Sequence, residues 1–399
     1  MYMTVTERFL KYVSFPTSSD EFSESVPSTA KQRVLGEYIA EELKEMGMED
    51  VILDENGYVY ARLQGNIEGA IGFVAHMDTS PDAPDCPVNA RIIEYAGGDI
   101  ELSDGIFTTV KEYPFVEGYK GQRLIVTDGK TLLGADDKAG VAEIVSMCEY
   151  FINNPEKPHK TIAICFTPDE EIGRGADYFD YSRFAAKEAY TVDGGALGEI
   201  EYENFNAASA RVTVKGVIIH PGSAKNKMKN AVLYVNEFIS MMPKNEIPAA
   251  TEGYEGFYHI HDIKADETSG EIRMIIRDHD KEKFESKKAF LERLVSYLNS
   301  VHGDGTFDLE IKDSYYNMKE KILPFMYLIE NAEKAFIGEG VAPRAVPIRG
   351  GTDGARLSYE GLPCPNLSTG GENFHSVREF ISVESLEKMT RVLIALAAY

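Results

Sequence analysis

Thr161-Ile162-Ala163-Ile164-Cys165-Phe166 carries no charge and no turn former, and it breaks off at Pro168-Asp169-Glu170-Glu171. A half-exposed strand alternates apolar and polar side chains. This one is apolar at odd and even positions alike, so both of its faces are covered. Strands of that kind belong to mixed or parallel sheets covered by helices. Outward from it the same grammar repeats. Ile71-Gly72-Phe73-Val74-Ala75 is a short apolar strand running into His76-Met77-Asp78, and Ala189-Tyr190-Thr191-Val192 ends at Asp193-Gly194-Gly195. Thr131-Leu132-Leu133 leads through Gly134-Ala135-Asp136-Asp137-Lys138 into a helix with Val141, Ile144, Val145, Cys148 and Ile152 inward. Upstream, the spacing of Leu35, Ile39, Leu43 and Met46 predicts a helix over 29–46, capped by Ser28 or Thr29 and stopped by Gly47. A last helix is expected over 385–398. The fold class is α/β: a mixed sheet with helices on both faces.

After about Asn206 the pattern changes. Ala210-Arg211-Val212-Thr213-Val214-Lys215 alternates as a half-exposed strand does. A helix is expected over 231–242, strands over 258–264 and 271–277, a strong helix over 281–299 and a strand over 307–311. The order β-α-β-β-α-β is that of a ferredoxin-like module. The expectation is therefore a discontinuous α/β domain, residues 1–206 and 317–399, interrupted by an inserted α+β domain, residues 207–316. A chain of 399 residues has room for two or three domains.

Composition narrows the function classes. Hydrophobic residues at 43% and charged residues at 27% describe an ordinary globular protein, whereas a net charge of −24 repels phosphate backbones and anionic lipid and argues against nucleic-acid or membrane work. The segment from Met1 to Pro16 contains Glu7, Arg8 and Lys11 and lacks the apolar stretch of a signal peptide. Cys86, Cys148, Cys165 and Cys364 show no paired spacing, and Cys148 and Cys165 sit in apolar contexts that suit buried thiols. Cytoplasmic localisation is expected.

Each buried-type strand ends in a residue able to bind a metal: His76 and Asp78, then Asp136 and Asp137, then Asp169, Glu170 and Glu171, then Asp193. His375 follows a Gly-rich turn near the C-terminus. In an open α/β sheet the carboxyl ends of the strands share the edge at which ligands bind, so groups far apart in sequence can converge. Imidazole with several carboxylates and no cysteine suits catalytic zinc, or manganese or cobalt. Taken singly, each acid reads as a turn former or helix cap, Asp136 above all; the ordered set does not.

That set resembles the aminoacylase and carboxypeptidase-G clan of two-metal peptidases, and within it the tripeptide aminopeptidases. The closer likeness rests on Ala75-His76-Met77-Asp78-Thr79-Ser80-Pro81-Asp82, Gly134-Ala135-Asp136-Asp137-Lys138-Ala139-Gly140 and Glu203-Asn204-Phe205-Asn206-Ala207-Ala208. It continues in Thr251-Glu252-Gly253-Tyr254-Glu255-Gly256-Phe257-Tyr258, Asp313-Ser314-Tyr315-Tyr316-Asn317-Met318 and Pro347-Ile348-Arg349-Gly350-Gly351-Thr352-Asp353-Gly354. The resemblance implies two Zn2+ ions per subunit, with cobalt or manganese as substitutes. His76 and Asp193 would hold one, Glu171 and His375 the other, and Asp136 would bridge them. It implies that Asp78 orients His76 and that Glu170 is the general base. His220 would come from the inserted lid domain to meet the developing oxyanion. Arg277 would grip the substrate's terminal carboxylate, with Arg349 as a second substrate-binding candidate whose alternative is structural. The implied substrate is a tripeptide with a free amine, and the lid domain is the implied surface for a homodimer.

Three rival readings stay open on the sequence. A carboxypeptidase or N-acyl amino acid deacylase of the same clan would use identical metal chemistry and differs only in the long segments just quoted. A non-catalytic peptide-binding protein would be expected to lack Glu170 or a ligand, and none is missing. A magnesium phosphatase would leave His76 and His375 without a role.

Overall fold

The computed structural model describes residues 3–399, and the chain divides into two compact units. The first comprises the chain through Tyr202, Glu320–Val346 and Thr352–Tyr399. The second comprises Glu203–Lys319 and Pro347–Gly351.

In the first unit helix α1 is Val5–Val13 and α2 is Ala30–Met46. Strands β1 (Glu49–Leu53), β2 (Val59–Leu63) and β3 (Ala70–His76) follow. Then come α3 (Ala135–Asn153), β4 (Thr161–Thr167), β5 (Ala189–Gly194) and β6 (Glu199–Glu201). The second unit supplies β7 (Asn206–Lys215), α4 (Ala231–Ser240), β8 (Phe257–Ala265), β9 (Ser269–Asp278), α5 (Lys281–His302) and β10 (Phe307–Tyr315). Back in the first unit are β11 (Arg344–Ala345), β12 (Asn366–Ser368) and α6 (Val383–Leu396).

The large sheet of the first unit runs β1-β2-β4-β3-β5-β12-β6-β11. β3 is parallel to β4 on one side and to β5 on the other, and β5 is parallel to β12, so their carboxyl ends lie on one edge. From Ile71 to His76 in β3, and from Ile162 to Thr167 in β4, every residue is buried. A fully buried Ile or Phe side chain contributes on the order of 1.5–3 kcal/mol, so the central strands anchor the edge firmly.

The helix caps differ from the sequence expectation. Gly47 ends α2 with φ +89°, as expected. At the other end the Thr29 side chain makes no cap bond; it donates to the Ser18 carbonyl instead. The Ser28 hydroxyl and N–H both donate to Asp169, at 2.5 and 2.7 Å, a partner in the turn after β4. In α3, Asp136 and Asp137 have non-helical backbone angles. Asp137 accepts the Gly140 N–H at 3.2 Å and caps the regular helix, which leaves the Asp136 carboxylate free to point elsewhere.

The second unit is a four-stranded antiparallel sheet in the order β8-β9-β7-β10 with α4 and α5 on one face. Ala208, Val212 and Val214 of β7 and Ile272, Met274 and Ile276 of β9 pack with Phe238 of α4 and Phe284, Leu291 and Leu298 of α5. Asn230 and Asp280 cap the two helices through the N–H groups of Val232 and Lys283. Three of the four cysteines, Cys148, Cys165 and Cys364, are buried, and all four are free thiols. No helix among the described residues is long and apolar enough to cross a membrane.

Candidate metal centre

β3 delivers His76 to the sheet edge, where its ring is almost wholly buried. Its Nδ1 faces the Asp78 backbone carbonyl at 3.0 Å and Asp78 Oδ1 at 3.3 Å. That turns Nε2 toward Asp136 Oδ1 at 2.9 Å and Asp193 Oδ1 at 3.3 Å. On the far side, His375 Nε2 lies 3.3 Å from Asp136 Oδ2 and 2.9 Å from Glu171 Oε2. Asp136 thus presents one oxygen to each imidazole and stands between two nests of ligand atoms. His76, Asp136 and Glu171 offer atoms within 4.8 Å of one another, as do His76, Asp137 and Asp193. All these residues belong to the first unit.

The electrostatics follow from packing so many acids below the surface. Burial pushes Asp193 up to about 6. Burial, then the Asp136 carboxylate, push Glu171 up to about 8. Burial, then Asp193, push Glu170 well above the usual carboxylate range. Burial also raises Asp136, but the two histidines outweigh it and hold Asp136 below that range. His375 is pushed up to about 11 by Asp136 and Glu171. Burial opposes charging His76, yet Asp193, Asp136 and Asp78 hold it well above its ordinary value. The cluster is short of positive charge, and a cation among these oxygens would supply it. Glu171 Oε1 points the same way: it is buried and has no hydrogen-bond partner among the described residues, the state a metal ligand relieves. The donor set therefore fits a pair of divalent cations.

Two roles on this edge were not visible in the linear motifs. Asp78, fully buried, accepts the N–H groups of Glu170 at 3.0 Å and Glu171 at 3.2 Å as well as facing His76. One carboxylate thereby ties the turn after β3 to the turn after β4. Glu379 accepts the N–H groups of Leu133, Gly134 and Asp136 at 2.7, 2.8 and 3.0 Å. It lies four positions after His375, so it clamps the Asp136 loop to the His375 loop; burial pushes its pKa up to about 7. A carboxylate directly before the apolar pair Phe380-Ile381 was the available signal. Asp353, buried and accepting from the Thr167 hydroxyl at 2.8 Å, is a third acid on this edge, raised to about 7 by burial.

His220, Arg277 and Arg349 belong to the second unit. His220 is exposed and its Nδ1 accepts the Gly222 N–H at 3.2 Å. Arg277 lies over the Tyr315 ring at 5.4 Å and donates to the carbonyls of Ala208 and Ile276 at 3.2 and 2.9 Å. Asp278 is not its partner; Asp278 faces Lys287 at 3.7 Å. Arg349 donates to the carbonyls of Gly253, Glu255 and Thr251 at 2.6, 3.1 and 3.4 Å and lies over Phe205 and Phe257. Its fork is spent on holding the 251–255 loop.

Comparison with known proteins adds to this geometry. The profile of peptidase family M20/M25/M40 matches residues 122–399. Peptidase T of Clostridium perfringens is 54% identical over 394 residues, covering 98% of this chain and 97% of that protein. Peptidase T of Caldanaerobacter subterraneus is 52% identical over 396 residues, with the same coverage. Among solved structures, the Bacillus cereus aminopeptidase PepT superposes with a TM-score of 0.77 at 23% identity, covering 99% of this chain and 97% of that one. A Staphylococcus aureus tripeptidase superposes with a TM-score of 0.76 at 20% identity, with the same coverage. At those identities the structural likeness speaks for the fold alone.

Proposed function

The chain belongs to peptidase family M20/M25/M40, and from that membership we propose that it is a metal-dependent tripeptide aminopeptidase that removes the N-terminal residue of unblocked tripeptides. The observation that carries the metal chemistry is the divided Asp136 carboxylate, with His76 at one oxygen and His375 at the other. The high identity to proteins named Peptidase T over nearly the whole chain supports the substrate.

In this reading His76, Asp193 and Asp136 would hold one zinc ion, and His375, Glu171 and Asp136 the second; cobalt or manganese could replace them. Bound there, the metals supply Lewis acidity and lower the pKa of a shared water toward neutrality. Glu170 would be the general base, its carboxylate taking a proton from the attacking water and passing it to the leaving amine. Asp78 fixes the His76 ring by accepting from Nδ1, and by holding the Glu170 and Glu171 N–H groups it keeps base and ligand in register. His220 donates to the oxyanion that develops at the scissile carbonyl. Arg277 pairs with the substrate's terminal carboxylate, and Arg349 shapes the binding surface through the 251–255 loop. The second unit acts as lid and as the surface for a homodimer, and the free thiols suit the cytoplasm.

Length selectivity follows if both substrate ends are gripped. The scissile carbonyl would sit at the His76, Asp136 and His375 cluster, the acids there would receive the free ammonium, and Arg277 would receive the carboxylate. A dipeptide falls short and a tetrapeptide overshoots by one residue, at most ~3.6 Å, which leaves a desolvated charge unpaired. Alanine peptides of two to five residues, with N-acetyl and C-amide controls, test this with and without chelator. The highest kcat/KM is expected for the free tripeptide, and none in chelator until metal is restored. Equal rates on three- and five-residue peptides would reduce the protein to a general aminopeptidase, and full activity of metal-stripped protein would end the metal reading.

A further inference from the structure

The turn that follows β3 carries a second carboxylate, Asp82, and it faces the other histidine. Asp82 Oδ2 lies 3.0 Å from His375 Nδ1, while His375 Nε2 faces Glu171 and Asp136. We infer that Asp82 is a positioning residue for His375: it accepts the Nδ1–H and so keeps the Nε2 lone pair turned into the metal centre. The inference rests on the reading of these residues as a metal centre.

The two histidines need such help to different degrees. His76 is 2% exposed, and a backbone carbonyl already faces its Nδ1. His375 is 43% exposed by its side chain and sits on a loop where it and Asn373 both have φ +59°, the left-handed region disfavoured for residues with a side chain. A half-exposed imidazole can turn over and exchange its two nitrogens. A carboxylate at Nδ1 fixes both tautomer and ring orientation. Asp82 is itself held, since its N–H donates to Ser80 Oγ at 3.2 Å. The same short turn thus serves both imidazoles, Asp78 for the buried one and Asp82 for the exposed one. Because Asp82 is 63% exposed, water screens the pair. The effect therefore belongs near the lower end of the 10–100-fold that partners of metal-bound histidine contribute to metal affinity.

Zinc affinity is measured by chelator competition on the full chain for the native protein, Asp82→Ala and Asp82→Asn. Two metals are expected in the native protein. In Asp82→Ala one affinity falls about 10-fold and the other is unchanged. Asp82→Asn, which keeps an acceptor oxygen without the charge, falls between. A second readout is the cobalt-loaded protein in water, whose shifted imidazole N–H proton resonances report solvent exchange. In Asp82→Ala the His375 N–H is expected to exchange faster while that of His76 is unchanged. Native protein that binds no metal pair would sink the proposed function itself. A native pair retained with unchanged affinities and unchanged N–H exchange in Asp82→Ala would overturn the role of Asp82 alone, as would an equal loss at both sites with a lowered melting temperature.

Discussion

Buried carboxylates here often accept from backbone N–H groups: Asp78 from Glu170 and Glu171, Glu379 from Leu133, Gly134 and Asp136, and Asp137 from His76 and Gly140. Such groups spend their oxygens on shape, whereas Glu170 is held by its backbone, donating to Asp78 and accepting from the Gly173 N–H, which leaves its carboxylate for the proposed role of base. Glu170→Gln is therefore expected to retain two metals by elemental analysis while kcat falls by about 10²–10⁴-fold or more, since a proton is moved twice. A variant with near-native turnover would put the base elsewhere. Glu379→Gln replaces an oxygen that accepts N–H groups with an amide that must turn a donor toward them. Expected costs are about 1–3 kcal/mol in denaturant unfolding, with weakened zinc binding because Asp136 loses its clamp. Unchanged stability and zinc binding would make Glu379 a passive filler. The five proposed metal ligands, Asp78 and Glu170 were legible as candidates because each stands at the end of a buried strand or follows a glycine turn. Glu379 and Asp82 were not, and the capping role of Asp137 was not, because a carboxylate that grips backbone or a neighbouring ring leaves no fixed spacing in sequence; only its contacts reveal it.

At the scale of elements, the centre is set by how closely α3 lies on β5. A methyl group placed on Gly140 would lie 1.9 Å from the Val192 carbonyl oxygen and 2.5 Å from Asp137 Oδ1. Only glycine lets the helix carrying Asp136 approach the strand carrying Asp193 this closely. Gly140→Ala must push α3 off β5, and overpacking of that kind costs about 1–3 kcal/mol. The measurements are urea unfolding and zinc affinity, both expected to fall together. Gly118, whose added methyl would meet nothing within 4 Å, is the neutral control. A Gly140→Ala protein with native stability would show the helix free to shift. The strands and helices themselves were readable: two-faced apolar runs stand at the buried sheet, and alternation marks β7. The caps were less readable, because Ser28 and Asp137 found tertiary partners or a neighbouring role that local propensity does not encode. Likewise Pro347–Gly351 groups with the second unit, since Ile348 and Arg349 bond to Glu203, His279 and the 251–255 loop, none of them near in sequence.

For the whole molecule, every metal-ligand candidate lies in the first unit, while the second has its own core around Phe238, Phe284 and Leu291 and contributes no ligand. A ligand that binds only the folded state stabilises it by about 2.7 kcal/mol at one hundred times its Kd. Zinc should therefore act on one unit's unfolding and not on the other's. Scanning calorimetry of the native chain is expected to show a transition that moves up by several degrees with added zinc and down with chelator, beside a second that stays in place. Asp136→Ala, which removes the shared ligand, should abolish the shift without moving the second transition. Two transitions require each unit to melt as its own cooperative block, and separate cores are the physical condition for that. If instead both transitions, or one single transition, move together with zinc, the two cores unfold as one block and the metals stabilise the entire chain. A shift that survives Asp136→Ala would place the stabilising metal outside the His76, Asp136 and His375 cluster.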